Sequence, residues 1–313
     1  MRVFSFFPPP PRGEAFGVWL AFLAAFGFSM KAIFVKLAYV WPVDAIVLLF
    51  LRMGISLPVF AVIAWKCRKD TPALSRRDWG ALVILGVLGY YGSSILDFVA
   101  LRYISAALER LVLYTYPTLT LLIAWALYRR APAGREFFSL ALTYLGIGLA
   151  FAHDLNLAEE GQKIWLGAAL VFASSLTYAL YLTGSAHLIA RLGSRRFTAL
   201  VMTASAIGVI LHFLSRQPLT ELPTALALPW QVYALCGAMA VFSTLLPVFM
   251  LSAAVMSIGA PRAALIGSVG PLVTIFLGWR WLDERLSIHQ AIGAALVLSG
   301  VLLVSLKKRK APE

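Results

Sequence analysis

The sequence has little charge and almost no cysteine. Asp, Glu, Lys and Arg make up 13% of its 313 residues and 61% are hydrophobic, whereas charged residues are about a quarter of an ordinary soluble protein. The two cysteines, Cys67 and Cys236, are far apart in the chain, so neither a disulfide framework nor a Cys-based metal site is indicated. This composition excludes an ordinary soluble domain and predicts a protein embedded in a lipid bilayer.

Acidic residues are scarcer than basic ones, 14 against 27, which gives a formal net charge of +13. In a soluble protein such a charge suggests a nucleic-acid partner. Here, however, Lys and Arg cluster in short segments between hydrophobic runs, which is the distribution that the positive-inside rule describes. The sequence therefore predicts a lipid bilayer, and no nucleic acid, as a partner.

Signatures of common catalytic sites are also missing. The chain contains no H-E-x-x-H, no G-x-x-x-x-G-K-[ST] and no G-x-S-x-G, so a metalloprotease, an ATP-driven pump and a hydrolase each lack their usual motif. The N-terminal MRVFSFFPPPPRGE has four consecutive prolines and no Ala-x-Ala site, so it does not read as a cleaved signal peptide. We therefore expect no enzyme, no cofactor and no metal site.

What the sequence does have is a series of hydrophobic runs, each close to the length of about twenty residues that crosses a bilayer as a helix. The runs cover residues 16–38, 43–65, 79–101, 104–128, 136–152, 165–189, 197–214, 230–256, 259–281 and 288–306. Most tryptophans fall near the ends of these runs, where an amphipathic indole is favoured. The sequence predicts an all-α membrane protein of about ten transmembrane helices.

The charges of the connecting segments alternate along the chain. Connections after even-numbered runs are rich in Lys and Arg, and the chain ends in KKRK before its last three residues. Connections after odd-numbered runs are poor in basic residues, and HDLNLAEEGQK is net acidic. By the positive-inside rule both termini are predicted to be cytoplasmic, in a multi-pass protein of the inner (plasma) membrane.

An internal repeat relates the two halves of the chain. Pro117 corresponds to Pro271 at a separation of 154 residues (271 − 117), and the same separation joins Thr120 to Thr274 and Trp125 to Trp279. Each half holds five runs, an odd number, so the second half enters the membrane from the opposite side. Inverted repeats are typical of alternating-access transporters, whose binding site lies between the halves near the middle of the membrane. The predicted segments are a cytoplasmic N-terminal segment (1–15), a first repeat (16–152), an extracytoplasmic linker (153–164), a second repeat (165–306) and a basic cytoplasmic tail (307–313).

Several local patterns are similar to those of the EamA family of the drug/metabolite transporter superfamily. They are FLRMGISLP in the second run, ALRYISAAL between the third and fourth, a proline midway through the fourth and ninth, and LDERLS before the tenth. The resemblance covers roughly residues 16–306. It implies a central cavity lined by helices 1 to 4 and 6 to 9, peripheral helices 5 and 10, and transport of small metabolites, often amino acids.

Six ionisable residues of the first half lie within its predicted runs and are candidates for a polar site. They are Lys31, Lys36, Arg52, Asp97, Glu109 and Arg110. A charge at the middle of a bilayer costs about 2.5 to 3.5 kcal/mol on insertion scales, so such residues normally face a bundle interior or a water-filled cavity. Lys36 lies near the outer interface, which its ammonium group can reach. Arg52 either binds an anionic group or holds helix-end carbonyls.

Asp97 and Glu109 are predicted at matching depth, each about 7 Å below the outer surface at 1.5 Å per residue. Glu109 and Arg110 are about 100° apart around a helix, so both cannot face the same way. We expect Glu109 to be a cavity carboxylate and Arg110 a counter-charge whose natural partner is Asp97. The alternative is that Asp97, Glu109 and Arg110 form a wholly structural cluster.

Two stripes of polar residues run along predicted helices. Tyr90, Ser94 and Asp97 share one face of the third helix, and Tyr178 and Tyr181 lie with two serines on a face of the sixth. Such stripes suit either a polar pathway or hydrogen bonds between helices.

The sequence as a whole predicts a secondary transporter that works by alternating access on a small zwitterionic or amphipathic solute, such as an amino acid. Lys31 and Arg52 would bind an anionic group, whereas Glu109 and Asp97 would bind an ammonium group or a coupling proton. Tyr90, Ser94, Tyr178 and Tyr181 would complete the substrate site. The alternatives are a carrier for an anionic metabolite or, from another class, a lipid-linked enzyme or a sensor. The oligomeric state stays open.

Overall fold

The computed structural model describes residues 14–70, 72–128, 134–157, 161–218, 220–284 and 287–305. Regular structure in these ranges is helical throughout. The predicted cytoplasmic tail, 307–313, and all but two residues of the predicted N-terminal segment lie outside the described residues.

Five helices form the first repeat. They are α1 (Glu14–Ala38), α2 (Ala45–Lys66), α3 (Arg76–Ala100), α4 in two pieces (Ala106–Leu113 and Tyr116–Tyr128) and α5 (Gly134–Leu157). Ser75 caps the start of α3 and Ser105 the start of α4, each accepting a hydrogen bond from a backbone N–H of the first turn.

Five more helices form the second repeat. Gly161–Arg216 contains two of them, α6 (161–192) and α7 (194–216), which are separated at Gly193. Gly193 has φ 74° and ψ 150°, a conformation that glycine adopts without the penalty of a Cβ. After one helical turn at Leu222–Ala225 come α8 (Trp230–Ile258), α9 in two pieces (Ala260–Gly267 and Gly270–Leu282) and α10 (Ile288–Ser305).

Seven helical stretches of the described chain are long and apolar enough to cross a membrane, one of them being the α6 and α7 pair. The interrupted α9 and the shorter α10 complete the set of ten helices. The predicted all-α membrane fold of about ten helices is confirmed.

Helix irregularities recur at equivalent positions of the two repeats. A π-helical segment lies in α3 at Val87–Gly92 and another in α8 at Val241–Leu245, again 154 residues apart (241 − 87). The breaks that divide α4 and α9 have the same separation. Pro117 and Pro271 follow those breaks directly, because proline lacks an N–H and its ring crowds the preceding helical turn.

The first helix of each repeat packs into the other repeat. A Cβ on Gly17 of α1 would lie 2.7 Å from Ile258 Cγ2 at the end of α8, and one on Gly167 of α6 would lie 2.6 Å from Ile104 Cγ2 between α3 and α4. The two isoleucines are themselves 154 residues apart (258 − 104). The glycines therefore allow two symmetry-related close contacts between helices, which join the repeats into one bundle.

The fifth helices of the repeats, α5 and α10, pack mainly against each other. The Ser139 hydroxyl donates a hydrogen bond to the Gly300 carbonyl at 2.5 Å, and the α5 and α10 backbones approach closely at Gly146 and Gly293.

Candidate functional site

Lys31 lies between two buried carboxyl groups. Its Nζ is 2.5 Å from Asp97 Oδ2 and 3.8 Å from Glu109 Oε1. The three side chains come from α1, α3 and α4, and we refer to them as the charge triad. Lys31 is 16% exposed, whereas Asp97 and Glu109 are 1% and 0% exposed. Lys31 is thus the most exposed member of the charge triad.

The two carboxyl groups have few other partners. Apart from Lys31, no group among the described residues donates a hydrogen bond to either. Lys31 provides the one ammonium group within ion-pair distance of them in the described structure, and the Arg110 guanidinium acts on both from farther away. Buried charge is stable only when it is paired, so the charge balance depends on Lys31 and Arg110 together. The carboxyl oxygens that accept no hydrogen bond are suited to a cationic group or a proton.

Arg110 does not take part in the charge triad. Its Nη2 donates to Ser29 Oγ at 3.4 Å, and its guanidinium lies 5.7 Å from the centre of the Tyr114 ring. Across the described parts of the chain, no ion pair joins Arg110 to Asp97 or to another carboxylate. Asp97 makes its direct ion pair with Lys31 of α1 instead of the expected Arg110, although Arg110 lies close enough to act electrostatically on both carboxyl groups.

The breaks of α4 and α9 meet next to Arg110. Tyr114, at the break of α4, donates a hydrogen bond from its hydroxyl to the Gly267 carbonyl at 2.8 Å. Ser29 Oγ lies 3.0 Å from the carbonyl oxygen of Gly270 on the other side of the α9 break. The Gly267 carbonyl is left without a helical partner because Pro271 has no N–H, and the Tyr114 hydroxyl of the first repeat satisfies it.

Sequence reasoning missed these residues at the breaks. The paired prolines were the available signal, since a proline in a spanning helix frees the carbonyl of the preceding turn. What the prolines could not indicate is which side chains fill the gap. Gly270 is required there, because a Cβ would lie 2.7 Å from Tyr114 Oη and 3.3 Å from Arg110 Nη2.

The predicted tyrosines lie in a continuous row of rings. The centroids of Tyr90 and Tyr181 are 5.2 Å apart, those of Tyr181 and Tyr178 5.6 Å, and those of Tyr178 and Tyr116 5.1 Å. Tyr114 follows at 6.0 Å from Tyr116. We call these five residues the tyrosine row; Tyr114 and Tyr116 were not predicted.

Ser94 is buried on α3 near Asp97. The hydrogen bonds between α3 and α6 are instead made by its neighbour Ser93, whose Oγ lies 3.0 Å from Ser174 Oγ, and Ser174 also donates to the Ser93 carbonyl at 2.9 Å. Ser93 and Ser174 thus join α3 to α6 by hydrogen bonds, which was the alternative to a polar pathway.

Arg52 lies apart from the charge triad. Its Nε donates to Thr244 Oγ1 at 2.9 Å, and its guanidinium lies 5.6 Å from the centre of the Phe98 ring. Thr244 belongs to the π-helical segment of α8 and also donates to the Met239 carbonyl at 3.2 Å. Arg52 thus joins the two repeats through a hydroxyl, whereas the sequence suggested an anionic group or helix-end carbonyls as its partner.

The predicted outer ends of the helices are held by acidic residues. Glu284 Oε1 accepts a hydrogen bond from the Ala106 N–H at 2.8 Å and lies 3.5 Å from Lys36 Nζ. Lys36, expected to reach the interface unaided, is therefore paired with the second repeat. Asp154 of α5 accepts hydrogen bonds from Ser105 Oγ at 2.6 Å and from Gln290 of α10 at 2.9 Å. Both carboxylates lie at the start of α4, where the positive end of the helix dipole stabilises a negative charge.

Two five-helix halves that interlock around buried charges and paired helix breaks define an inverted-repeat membrane transporter. The chain belongs to the EamA-like transporter family, which it matches over residues 15–152 and 165–306. The resemblance seen in the sequence is confirmed.

Known relatives carry transporter names. A Bacillus subtilis protein named uncharacterized transporter YcbK is 30% identical over 304 residues, which cover 96% of each chain. A Chlamydia trachomatis protein named S-adenosylmethionine/S-adenosylhomocysteine transporter is 24% identical over 223 residues, covering 70% of this chain and 68% of its own. A solved crystal structure with 18% identity and a TM-score of 0.62 covers 94% of this chain and 98% of its own, which shows a shared fold.

Proposed function

We propose that this protein carries a small zwitterionic or amphipathic solute, such as an amino acid, across the inner membrane by alternating access, and that protons drive it. The observation that carries the proposal is the charge triad, in which one ammonium group serves two buried carboxyl groups. Loop charge supports the orientation with both termini in the cytoplasm. Absence of the usual catalytic motifs favours transport over an enzymatic role.

The proposed coupling of proton binding to solute binding follows from the net charge of the charge triad. With both carboxyl groups ionised the triad carries one net negative charge, and Lys31 is engaged with Asp97 at 2.5 Å. One proton on Glu109 makes the triad neutral, because Lys31 and Asp97 stay paired. When Glu109 releases that proton, its carboxylate can bind the ammonium group of the solute, while the partly exposed Lys31 ammonium group binds the carboxylate of the solute. Proton binding and solute binding thereby depend on each other.

The other predicted site residues have subsidiary roles in this proposal. Tyr90 and Ser94 of α3 and Tyr178 of α6 would contact the rest of the solute. Arg52 would act on the site through Thr244 rather than by touching the solute. S-adenosylmethionine, the solute in the name of one relative, has an amino-acid end, which agrees with recognition of a zwitterion by the charge triad.

The decisive experiment compares the wild-type protein with Glu109→Gln in proteoliposomes. The substitution keeps size and hydrogen bonding but cannot titrate. We expect it to lose uptake driven by a pH gradient and to keep solute exchange at equal pH, because exchange requires no net proton movement and the amide oxygen still accepts a hydrogen bond from the solute ammonium group. Glu221→Gln, in the exposed connection after α7, is the matched control and is expected to retain both activities.

Wild-type transport that does not respond to a pH gradient would refute proton coupling. A Glu109→Gln protein that folds but loses exchange as well would show that solute binding requires the Glu109 carboxylate itself.

A carrier for an anionic metabolite is the second candidate, and Arg110 favours it. The Arg110 guanidinium has no carboxylate partner among the described residues and lies beside the paired helix breaks. An anion carrier would transport a dicarboxylate such as succinate in preference to an amino acid, and Arg110→Gln would abolish that transport while Glu109→Gln would spare it.

A further inference from the structure

We propose that the tyrosine row binds a planar aromatic group of the transported solute. The inference rests on the proposed function, since it assigns the part of the solute that lies beyond the charge triad. It names a substrate class: solutes with a charged or zwitterionic end and an aryl or heteroaryl end.

The position of the tyrosine row supports a second solute subsite next to the charge triad. The row starts at Tyr114, whose ring lies under the Arg110 guanidinium, one helical position from Glu109 of the charge triad. From there it passes along α6 to Tyr90 in the π-helical segment of α3. Both ends of the row thus lie at irregular backbone near the middle of the predicted spans, where inverted-repeat transporters bind their solutes.

Exposure distinguishes the row from ordinary packing. Tyr90, Tyr116 and Tyr178 are partly exposed, although Tyr178 is on the face of α6 that also carries the buried Ser174 and Tyr181. Leu176 and Leu180 occupy the outward face of the same helix and are each 39% exposed. The exposed part of Tyr178 therefore faces the interior of the bundle and not the lipid.

Hydrogen-bonding capacity remains on the row. The Tyr114 hydroxyl is used by the Gly267 carbonyl, but in the described structure the Tyr116 and Tyr178 hydroxyls donate to no other group. These two hydroxyls are consequently free for nitrogen or oxygen atoms of a heteroaromatic ring.

Ring geometry favours an aromatic group over an aliphatic chain or a cation. The Tyr116 and Tyr178 rings meet at 83° and those of Tyr90 and Tyr181 at 67°, edge-to-face arrangements that a further ring can extend. A second cation is disfavoured, because the Arg110 guanidinium already lies over one end of the row. Tyr181 itself is nearly buried and packs against Phe197 at 6.2 Å, so its role is to support the other rings.

The test uses two pairs of probes that share a charged end and differ in the other: L-tryptophan with L-leucine, and S-adenosylhomocysteine with L-methionine. Binding to the purified full-length protein is measured by competition and by thermal shift. We expect the aromatic member of each pair to bind about tenfold more tightly, which corresponds to the lower part of the range for stacking on one aromatic side chain.

Variants locate the effect on the row. Tyr178→Leu is expected to remove most of the tenfold preference by weakening the aromatic member of each pair much more than the aliphatic one, whereas Tyr178→Phe, which keeps the ring, retains the preference. Tyr116→Leu serves as a second variant should Tyr178→Leu fail to fold. Tyr144→Leu, at an exposed position of α5, is the matched control.

Equal binding of the two members of each pair, or an equal loss of both in Tyr178→Leu, would overturn the inference. Aliphatic probes that bind while no aromatic probe does would overturn it as well. In these cases uptake of the aliphatic member that depends on a pH gradient and on Glu109 would leave the proposed function intact. Conversely, aromatic preference without any pH-driven uptake would support the tyrosine row and refute proton-coupled transport.

Discussion

At the scale of single residues, Lys31 determines the state of the site, because two buried carboxyl groups depend on its ammonium group. The sequence predicted that Lys31, Asp97 and Glu109 lie in the membrane, since ionisable residues are rare in hydrophobic runs and conspicuous where they occur. It did not predict that Asp97 pairs with Lys31 rather than Arg110. That choice depends on how α1 is rotated in the bundle, which a one-dimensional pattern does not specify.

We predict that Lys31→Met destabilises the folded protein at neutral pH. Removing one partner of a buried ion pair leaves charge uncompensated, at a cost of about 3 to 5 kcal/mol. Thermal unfolding in detergent, followed by size-exclusion chromatography, measures the effect. Adding Asp97→Asn to Lys31→Met is expected to recover most of the loss, because it removes one of the unpaired charges.

Lys36→Met is the control for that experiment. Lys36 is 25% exposed and near an interface, so its pairing with Glu284 contributes about 1 kcal/mol or less. A Lys31→Met protein as stable as Lys36→Met would show that the carboxyl groups of Asp97 and Glu109 are not held as anions by Lys31.

At the scale of helices, the sequence predicted well wherever a residue type enforces a structure. Pro117 and Pro271 lie at the breaks of α4 and α9, and the helix boundary at Gly193 falls between the predicted sixth and seventh runs. The π-helical segments were not predicted. The α3 segment VLGYYG contains no proline, so its extra backbone residue depends on packing against α6, where Gly89 contacts Tyr181.

The glycine contacts between the repeats give a prediction with a matched control. Gly167→Ala and Gly17→Ala are each expected to lower stability by about 1 to 3 kcal/mol, because the added Cβ would overlap Ile104 or Ile258. Gly54→Ala in α2 meets nothing within 4 Å and is expected to be neutral or slightly stabilising. Thermal unfolding of the three variants in the same detergent provides the comparison.

Equal stability of all three glycine variants would contradict the close packing of α1 on α8 and of α6 on the α3 to α4 connection. A selective loss in Gly167→Ala and Gly17→Ala would instead support both symmetry-related contacts.

At the scale of the whole molecule, the orientation in the membrane is open to a direct test with the native cysteines. Cys67 is partly exposed in the connection after α2, and Cys236 is fully buried in α8. With the termini in the cytoplasm, a membrane-impermeant maleimide is expected to label Cys67 only after the cells are opened. Cys67→Ser should abolish labelling, and labelling of Cys67 in intact cells would reverse the orientation.

Because the first helix of each repeat packs against the other repeat, the order of synthesis affects how the protein assembles. Gly17 and its contact Ile258 are separated by 241 residues (258 − 17), and a ribosome takes roughly 10 to 50 s to synthesise that length at about 5 to 20 residues per second. During this interval α1 is already in the membrane without the surface against which it packs. The nascent first half therefore lacks this packing surface until α8 is synthesised, and lipid occupies the open face of α1 in the meantime.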